Sequence, residues 1–339
     1  SPATKPPPMP CARWPLPCRH ERSAGPFPSK LAPQHAGRRY ASERSTEGIP
    51  LTTLTTPVAT AITRQLDAIA QRWPTPRVRR LHVPHRDAAP GEHDAEFCAI
   101  ELDDGAFGLS YVLLGDTLNG LLAAHGGGAL PLAGADPMGL ASRLLDGNAV
   151  ERALALAAIN AMTDSVWRRV GYEPPPAGNS LGDVELAATD HLGMIGFFPP
   201  LVRRVAEAGG RLSVVEMNED MVARQRERFP GVIIGLDRAL LADCNLVVGT
   251  STMLLNDTLD DMLAAAPRAT RFAVIGPSAG LWPDTLFERG VTLLGGTRIT
   301  DPAGFAAAMA AGASWSGATR KFAIERGSWP GWRALTQRD

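Results

Sequence analysis

Hydrophobic and polar positions follow a regular pattern from about residue 56 onward. Apolar residues at helical spacing from Val58 to Ala70 predict one face of a first helix that ends near Trp73 and Pro74, and three apolar runs after it predict strands. The strands are expected at 78–83, 97–102 and 107–114, the last two joined as a hairpin by Asp103, Asp104 and Gly105. Further helices are expected at 140–145 and 149–170. This half of the chain is predicted to be a small α+β unit.

Strands alternate with helices from residue 189 onward. Short apolar runs predict six strands, at 192–198, 212–215, 232–235, 245–249, 272–275 and 291–294. Helices are expected between or after them, one beginning at Pro199 and closing at Gly209, and others at 219–229, 239–242, 259–266 and 302–311. Such alternation predicts a parallel, doubly wound sheet in the strand order 3-2-1-4-5-6, which binds ligands at the carboxyl ends of its strands.

The segment 190–218 has the order strand, glycine turn, helix, strand, acid. Glu216 follows Gly196 by 20 residues, the spacing at which dinucleotide-binding folds place an acid on ribose hydroxyls. The turn has few glycines, and its two prolines carry no N–H, so we expect an adenosine-type ligand without phosphates. The expected cofactor-binding residues are Gly193, Gly196, Phe197, Phe198, Pro199 and Glu216. The alternative stays open that these glycines serve close packing and Glu216 is a solvated acid.

Two later loops and one helix carry further polar candidates. The loop after the fourth strand is rich in hydroxyls. The loop after the fifth strand brings a serine to a strand end, but it does not match the motif of a serine nucleophile. Asn160 lies within an apolar helical run, so its amide must find partners, either in a neighbouring loop of the protein or in a ligand. We expect it to point into a cleft toward loop 250–256. The expected ligand-binding residues are Asn160, Thr250, Ser251, Thr252, Asn256, Gly276, Pro277 and Ser278.

Composition and charge narrow the classes of function. The chain is 45% hydrophobic and 20% charged, has a net charge of −1, and shows neither a basic stripe nor an apolar run long enough to cross a membrane. We therefore expect no nucleic acid and no membrane as partners. Cys98 and Cys244 fall in predicted core segments, which indicates buried free thiols and a cytoplasmic location. Four histidines without paired spacing are expected at the surface rather than on a metal: His82, His85, His93 and His125.

Changes in composition predict the domain organisation. The first 48 residues hold eight Lys/Arg against three Asp/Glu and are rich in proline, which predicts a disordered arm. Prolines and glycines before residue 189 predict a linker. The expected divisions are an arm at 1–48, an α+β domain at 49–172, a linker at 173–188, the doubly wound domain at 189–326 and a tail at 327–339.

Several motifs occur together in an order typical of one family. They are GMIGFFPPLV, the strand-end Glu216, VVGTSTMLLNDTLDDML and VIGPSAGLWPDTLFERGVTLLGGTRITD, preceded by GLSYVLLGD and LAAINAM. Together they resemble the heavy-metal chelation domain family, first catalogued as a domain of unknown function. The resemblance implies a Rossmann-like doubly wound parallel sheet preceded by a small α+β enolase-N-terminal-like domain, with a cleft shared between them. It also implies a role in metal chelation or in handling a chelating metabolite.

Three hypotheses of function follow. The first is a cleft protein that binds a small polar or adenosine-type ligand in metal-chelate or metallophore metabolism. The second is a non-catalytic metal-binding protein that uses Asp190, His191, Glu216 and Asp301. The third is an enzyme resembling S-adenosylmethionine-dependent methyltransferases. The expected cofactor is an adenosine-containing molecule or a metal ion, and the expected partner is a small molecule or metal chelate. Catalysis and homo-oligomer formation are left open.

Overall fold

A three-stranded antiparallel sheet and a long helix form the first part of the structure, a computed structural model that describes residues 56–84, 96–177 and 186–337. The sheet has the order β1-β2-β3. Its strands are β1 (Val78–His82), β2 (Phe97–Leu102) and β3 (Phe107–Tyr111), and its helices are α1 (Val58–Ala70), α2 (Thr117–Gly126), α3 (Pro137–Ala141) and α4 (Ala149–Arg169). We call this part the α+β module. The predicted hairpin is confirmed, with Gly105 at a φ of +80°.

Helix α4 is the central element of this module. It begins with a capping box, in which Asn148 accepts from the Glu151 N–H and Glu151 reaches back to the Asn148 N–H. Every residue from 153 to 167 is buried, the pattern of a helix enclosed on all sides. A Cβ atom at Gly108 of β3 would lie 2.1 Å from the Ala157 carbonyl oxygen, so only glycine permits this approach of strand to helix.

A seven-stranded sheet occupies the second part of the described chain, in the order β6-β5-β4-β7-β8-β9-β10. The strands are β4 (His191–Ile195), β5 (Arg211–Val215), β6 (Ile233–Gly235), β7 (Leu246–Thr250), β8 (Arg271–Ile275), β9 (Leu293–Ile299) and β10 (Thr319–Glu325). The helices are α5 (Pro199–Glu207), α6 (Glu219–Arg228), α7 (Leu259–Ala265), α8 (Asp284–Glu288), α9 (Pro302–Ala311) and α10 (Trp332–Thr336). The first six strands are parallel, which confirms the mixed α/β fold and the order 3-2-1-4-5-6.

Both faces of the parallel strands are buried. Neighbouring residues of β5 show this, because Val214 packs with α5 and α6 while Val215 belongs to the core that contains α4. That second core extends without a break from the α+β module to the sheet. Helix α9 adds a further contact, since Phe305 packs against the outer face of the three-stranded sheet, beside Phe107. The described residues from 56 to 337 accordingly form one compact unit, and the predicted domain boundaries within it stay a prediction.

Some local predictions differ from the structure. Strand β4 ends at Ile195 rather than at residue 198, because Gly196 adopts a φ of +80° and turns the chain. The helix expected at 239–242 is a 3-10 turn, Arg238–Leu241. His82 is buried rather than exposed, with its Nε2 atom 2.9 Å from the Glu101 carboxylate; His85 and His93 lie outside the described residues.

The remaining comparisons concern whole elements and the cysteines. Strand β10 and helices α2, α8 and α10 were not predicted. Cys98 and Cys244 are buried free thiols, as predicted. Burial raises the pKa of these thiols to about 12 and about 11 respectively. The arm at 1–48 lies outside the described residues. Within the part that the structure describes, no helix has the length and apolar character needed to cross a membrane.

Candidate ligand site at the carboxyl edge of the sheet

The carboxyl ends of β4, β5, β7 and β8 meet at one edge, because these strands are parallel neighbours. The turn after β4 lies against the loop after β7: a Cβ atom at Gly196 would be 3.2 Å from the Thr250 methyl group. The loop after β7 in turn lies against the loop after β8, where a Cβ atom at Gly276 would be 2.6 Å from the Ser251 hydroxyl. The three loops predicted to line a site are therefore in contact.

Glu216 lies directly after β5 at this edge, as the sequence spacing predicts. Its backbone N–H donates to the carbonyl of Gly235 at 2.8 Å, which fixes the residue beside β6. Its side chain is half-buried and accepts a hydrogen bond from the Met217 N–H at 3.3 Å. Burial raises the pKa of the Glu216 carboxyl above its ordinary value, and the hydrogen bond from Met217 lowers it to a smaller extent. A carboxylate can accept about four hydrogen bonds, so it keeps acceptor capacity for a ligand.

Tyr111 brings the α+β module to the same edge. It ends β3, stacks edge-to-face with Phe97 at 5.6 Å between ring centres, and donates its backbone N–H to the Ser278 hydroxyl at 2.9 Å. The pKa of the Tyr111 phenol is raised to about 12, mainly by burial and to a smaller extent by the negative charges of Glu96 and Glu216. Tyr111 and Glu216 therefore come from different parts of the fold and lie close enough for the Glu216 charge to affect the pKa of the Tyr111 phenol.

Asn160 connects α4 to the loop after β8. Its side-chain nitrogen donates to the carbonyl oxygens of Leu109 and Ser278, each at 2.8 Å. The expected direction, toward loop 250–256, is wrong, since the partner at the sheet edge is Ser278 in the neighbouring loop. Asn160 and Ser278 are both almost fully buried, and the bonds named here join protein segments to each other. Their role as ligand contacts stays a prediction.

The hydroxyl-rich loop after β7 largely satisfies its own hydrogen bonds. The Thr250 hydroxyl accepts from the N–H and the hydroxyl of Thr252. Thr250 thereby caps the 3-10 turn Ser251–Leu254. Asn256 accepts from the N–H and the hydroxyl of Thr258 at the start of α7. The side-chain nitrogen of Asn256 contacts the Met217 sulfur at 3.0 Å, so this loop also supports the residue next to Glu216.

The turn from β4 into α5 offers few hydrogen-bond donors. The N–H of Gly196 donates to Val215, that of Phe198 to the Met194 sulfur, and that of Leu201 to the carbonyl of Phe198. The residues between them, Pro199 and Pro200, have no N–H group. Phe197 supplies the one backbone N–H of this turn that has no acceptor among the described residues. Phosphate-binding helix starts present several such groups, so this turn is a poor phosphate site.

The alternative metal-ligand set is divided between different parts of the fold. Asp190 and His191 lie at the amino end of β4, where they contact Asn245 and Ser213, whereas Glu216 lies at the carboxyl edge. Asp301 follows β9 and caps α9 by accepting from the Gly304 N–H. Among the residues that the structure describes, no group of three or more His, Cys, Asp or Glu side chains could hold a metal ion. The described residues therefore do not fit a metal ion held by protein side chains alone.

Three residues at the edge were not identified from the sequence. Tyr111 lies in an apolar run and was assigned only to a strand. Met217 and Leu236 are large apolar side chains with exposed fractions of 65% and 44%. They directly follow Glu216 and Gly235, which are joined by a backbone hydrogen bond. A methionine directly after a strand-end acid was the available signal for these exposed apolar side chains.

Comparisons with known proteins identify the family. Two family models, both described as "Putative heavy-metal chelation", match residues 95–163 and 181–326. Solved structures of two proteins of unknown function from the latter family have the same fold. One, from Pyrococcus horikoshii, is 18% identical with a TM-score of 0.56; the other, from Desulfitobacterium hafniense DCB-2, is 22% identical with a TM-score of 0.55. Each alignment covers 79% of this chain and 99% of the other.

An uncharacterized protein of Methanocaldococcus jannaschii is 28% identical over 161 residues, which are 45% of this chain. The match spans 56% of that relative's length, so just over half of it is compared. The motifs named from the sequence, the strand order and both family models agree. The chain belongs to the family described as "Putative heavy-metal chelation".

Proposed function

We propose that this protein binds a small hydroxylated organic ligand of adenosine type at the carboxyl edge of the sheet, between Glu216 and Tyr111. The observation that carries the proposal is the state of Glu216. It is half-buried, its pKa is raised by burial, and a single protein N–H reaches its carboxylate among the described residues. Ligand hydroxyl groups would satisfy this carboxylate, because hydrogen bonds to a charged group contribute about 1.5–3 kcal/mol.

Tyr111 supplies the second half of the proposed site. Its phenol hydroxyl can donate and accept, and its high pKa keeps it protonated at neutral pH. The backbone bond from Tyr111 to Ser278 and the side-chain bond from Asn160 to Ser278 support this arrangement by holding β3 against the loop after β8. A ligand that contacts both Tyr111 and Glu216 would be held by both parts of the fold.

The family description suggests that metal enters as cargo. Since the described side chains do not form a metal site, the metal would be held by the donor atoms of an organic chelator, and the protein would recognise the organic part. We place the protein in metal-chelate handling on this basis. An S-adenosylmethionine-dependent reaction would use the same adenosine contacts, so that molecule belongs among the test ligands. A cytoplasmic location stays a prediction.

Titration calorimetry tests the proposal, with adenosine, S-adenosylmethionine and NAD added to the wild-type protein. We expect binding of at least one adenosine-containing ligand, and a loss of about tenfold or more in Glu216→Gln, whose melting temperature should be no lower than that of the wild type. Glu219→Gln is the matched control, because Glu219 is an exposed acid three residues away in the first turn of α6. It should bind like the wild type. The proposal fails if the wild type binds none of the three ligands, or if both variants lose affinity equally.

A further inference from the structure

We infer that the ligand is a nucleoside without a phosphate group, with its flat base on an apolar shelf and its ribose hydroxyls on Glu216. The shelf consists of Met217 and Leu236. This inference rests on the proposed function and specifies the class of ligand for the same site. It depends on three features of the edge, which are the exposed shelf, the acceptor capacity of Glu216, and the shortage of donors in the turn before α5.

The proposed shelf would consist of two large apolar side chains that are exposed where β5 and β6 end. Met217 is 65% exposed and Leu236 is 44% exposed. The backbone bond from Glu216 to Gly235 places the two residues on adjoining strand ends, one after β5 and one after β6. The contact from Asn256 to the Met217 sulfur restrains the methionine from the side of β7. A flat ring lying on this shelf would bury apolar area and contact a polarisable sulfur, both of which favour binding.

Glu216 follows β5 and lies next to the turn after β4. Strands β4 and β5 are paired, with Ile195 opposite Val215, and the Gly196 N–H donates to Val215 at 2.9 Å. A ribose that bonds Glu216 is therefore next to the turn. In nucleotide-binding sheets of this strand order, the turn is where the phosphates bind the start of the helix. In this protein, the hydrogen-bond donors of the turn after β4 therefore determine whether the site can bind a phosphate.

The turn lacks the groups that a phosphate requires. Pro199 and Pro200 occupy the first two positions of α5, and the N–H groups of Gly196, Phe198 and Leu201 already have acceptors. A phosphate carries about two negative charges at neutral pH, and each oxygen needs donors to replace lost water. The carboxylate of Glu216 beside the turn adds repulsion of like charge. A neutral ligand leaves no phosphate oxygen without a donor and is not repelled by the Glu216 carboxylate.

Calorimetry with adenosine and adenosine 5′-monophosphate tests the inference. The wild type should bind adenosine about tenfold or more tighter than the monophosphate, since each missing charge-assisted bond is worth about 1.5–3 kcal/mol. Met217→Ala and Leu236→Ala should each weaken adenosine binding about fivefold or more through lost apolar contact. Leu145→Ala is the control, because Leu145 is similarly exposed, at 46%, in the α+β module. It should bind adenosine like the wild type.

A gain-of-binding variant tests the turn directly. Pro200→Ala restores one N–H at the second position of α5, and it should raise the affinity for the monophosphate relative to adenosine by about threefold or more. Equal or tighter binding of the monophosphate by the wild type would overturn the inference, and so would full adenosine affinity in both shelf variants. In either case adenosine still binds, so the proposed function stands. No binding of any adenosine-containing ligand overturns both.

Discussion

The side-chain nitrogen of Asn160 lies 2.8 Å from the carbonyl oxygen of Ser278, so the central helix of the α+β module is bonded directly to the carboxyl edge of the sheet. The same nitrogen holds the carbonyl of Leu109 in β3. Tyr111, two residues later in β3, donates its N–H to the Ser278 hydroxyl. Ser278 is fully buried and binds both elements, so it fixes the position of Tyr111 relative to the sheet edge.

Replacing Asn160 by leucine should destabilise the protein strongly. The change keeps the number and branching of the side-chain heavy atoms but leaves two buried carbonyl oxygens without this donor, at about 1–3 kcal/mol each. Denaturation in urea should show the loss as a lower midpoint. Asn119→Ala is the control, since Asn119 is exposed on α2 and bonds only a neighbouring surface acid, Asp116. A midpoint for Asn160→Leu equal to that of the control would contradict this assignment.

Arg298 and Asp164 form a second connection between the module and the sheet. The Arg298 Nε atom lies 2.7 Å from the Asp164 carboxylate, and both side chains are 11% exposed. Arg298→Met should lower the free energy of unfolding by about 3–5 kcal/mol, because it leaves a buried charge without its partner. Arg268→Met breaks an exposed pair with Asp243 and should cost less than about 1 kcal/mol. Similar losses in the two variants would show that the buried pair has no special role.

The stability of Glu216→Gln relative to the wild type should depend on pH. A carboxyl with a raised pKa in the folded state binds its proton at a higher pH than in the unfolded state, so its ionised form disfavours folding. That penalty is present above the raised pKa and disappears as the pH falls to the ordinary value. Thermal unfolding should therefore show Glu216→Gln stabilised against the wild type at about pH 8, and the difference should shrink at about pH 4. A difference independent of pH would contradict the burial of this carboxyl.

Much of the sheet could be predicted from the sequence, because parallel strands buried on both faces are continuous apolar runs. All six parallel strands and their order follow from that pattern and from the helices between them. Strand β10 was missed because it is antiparallel and has exposed charged residues, Lys321 and Glu325, on either side of the buried Phe322 and Ile324. The alternation of buried and more exposed residues along β10 was the signal available in the sequence.

The candidate site was predictable only where it is local in sequence. Glu216 follows from a spacing of 20 residues from Gly196 within one strand-helix-strand unit. Tyr111 could not be found in this way, because the packing of β3 against a loop that lies 167 residues further along the chain brings it within electrostatic range of Glu216. The predicted direction of the Asn160 side chain was wrong for the same reason. Two neighbouring loops at one sheet edge offer similar groups, and only the packing of α4 selects Ser278.

A double-mutant cycle on adenosine affinity tests the central claim most directly, using the wild type, Tyr111→Phe, Glu216→Gln and the double variant in titration calorimetry. If one ligand contacts both side chains, each single change should weaken binding, and the double change should cost less than the sum by about 0.5–3 kcal/mol. Melting temperatures of all four proteins serve as the folding control. Losses that add to within about 0.5 kcal/mol, or affinity unchanged in Tyr111→Phe, would contradict a site shared by the two parts of the fold.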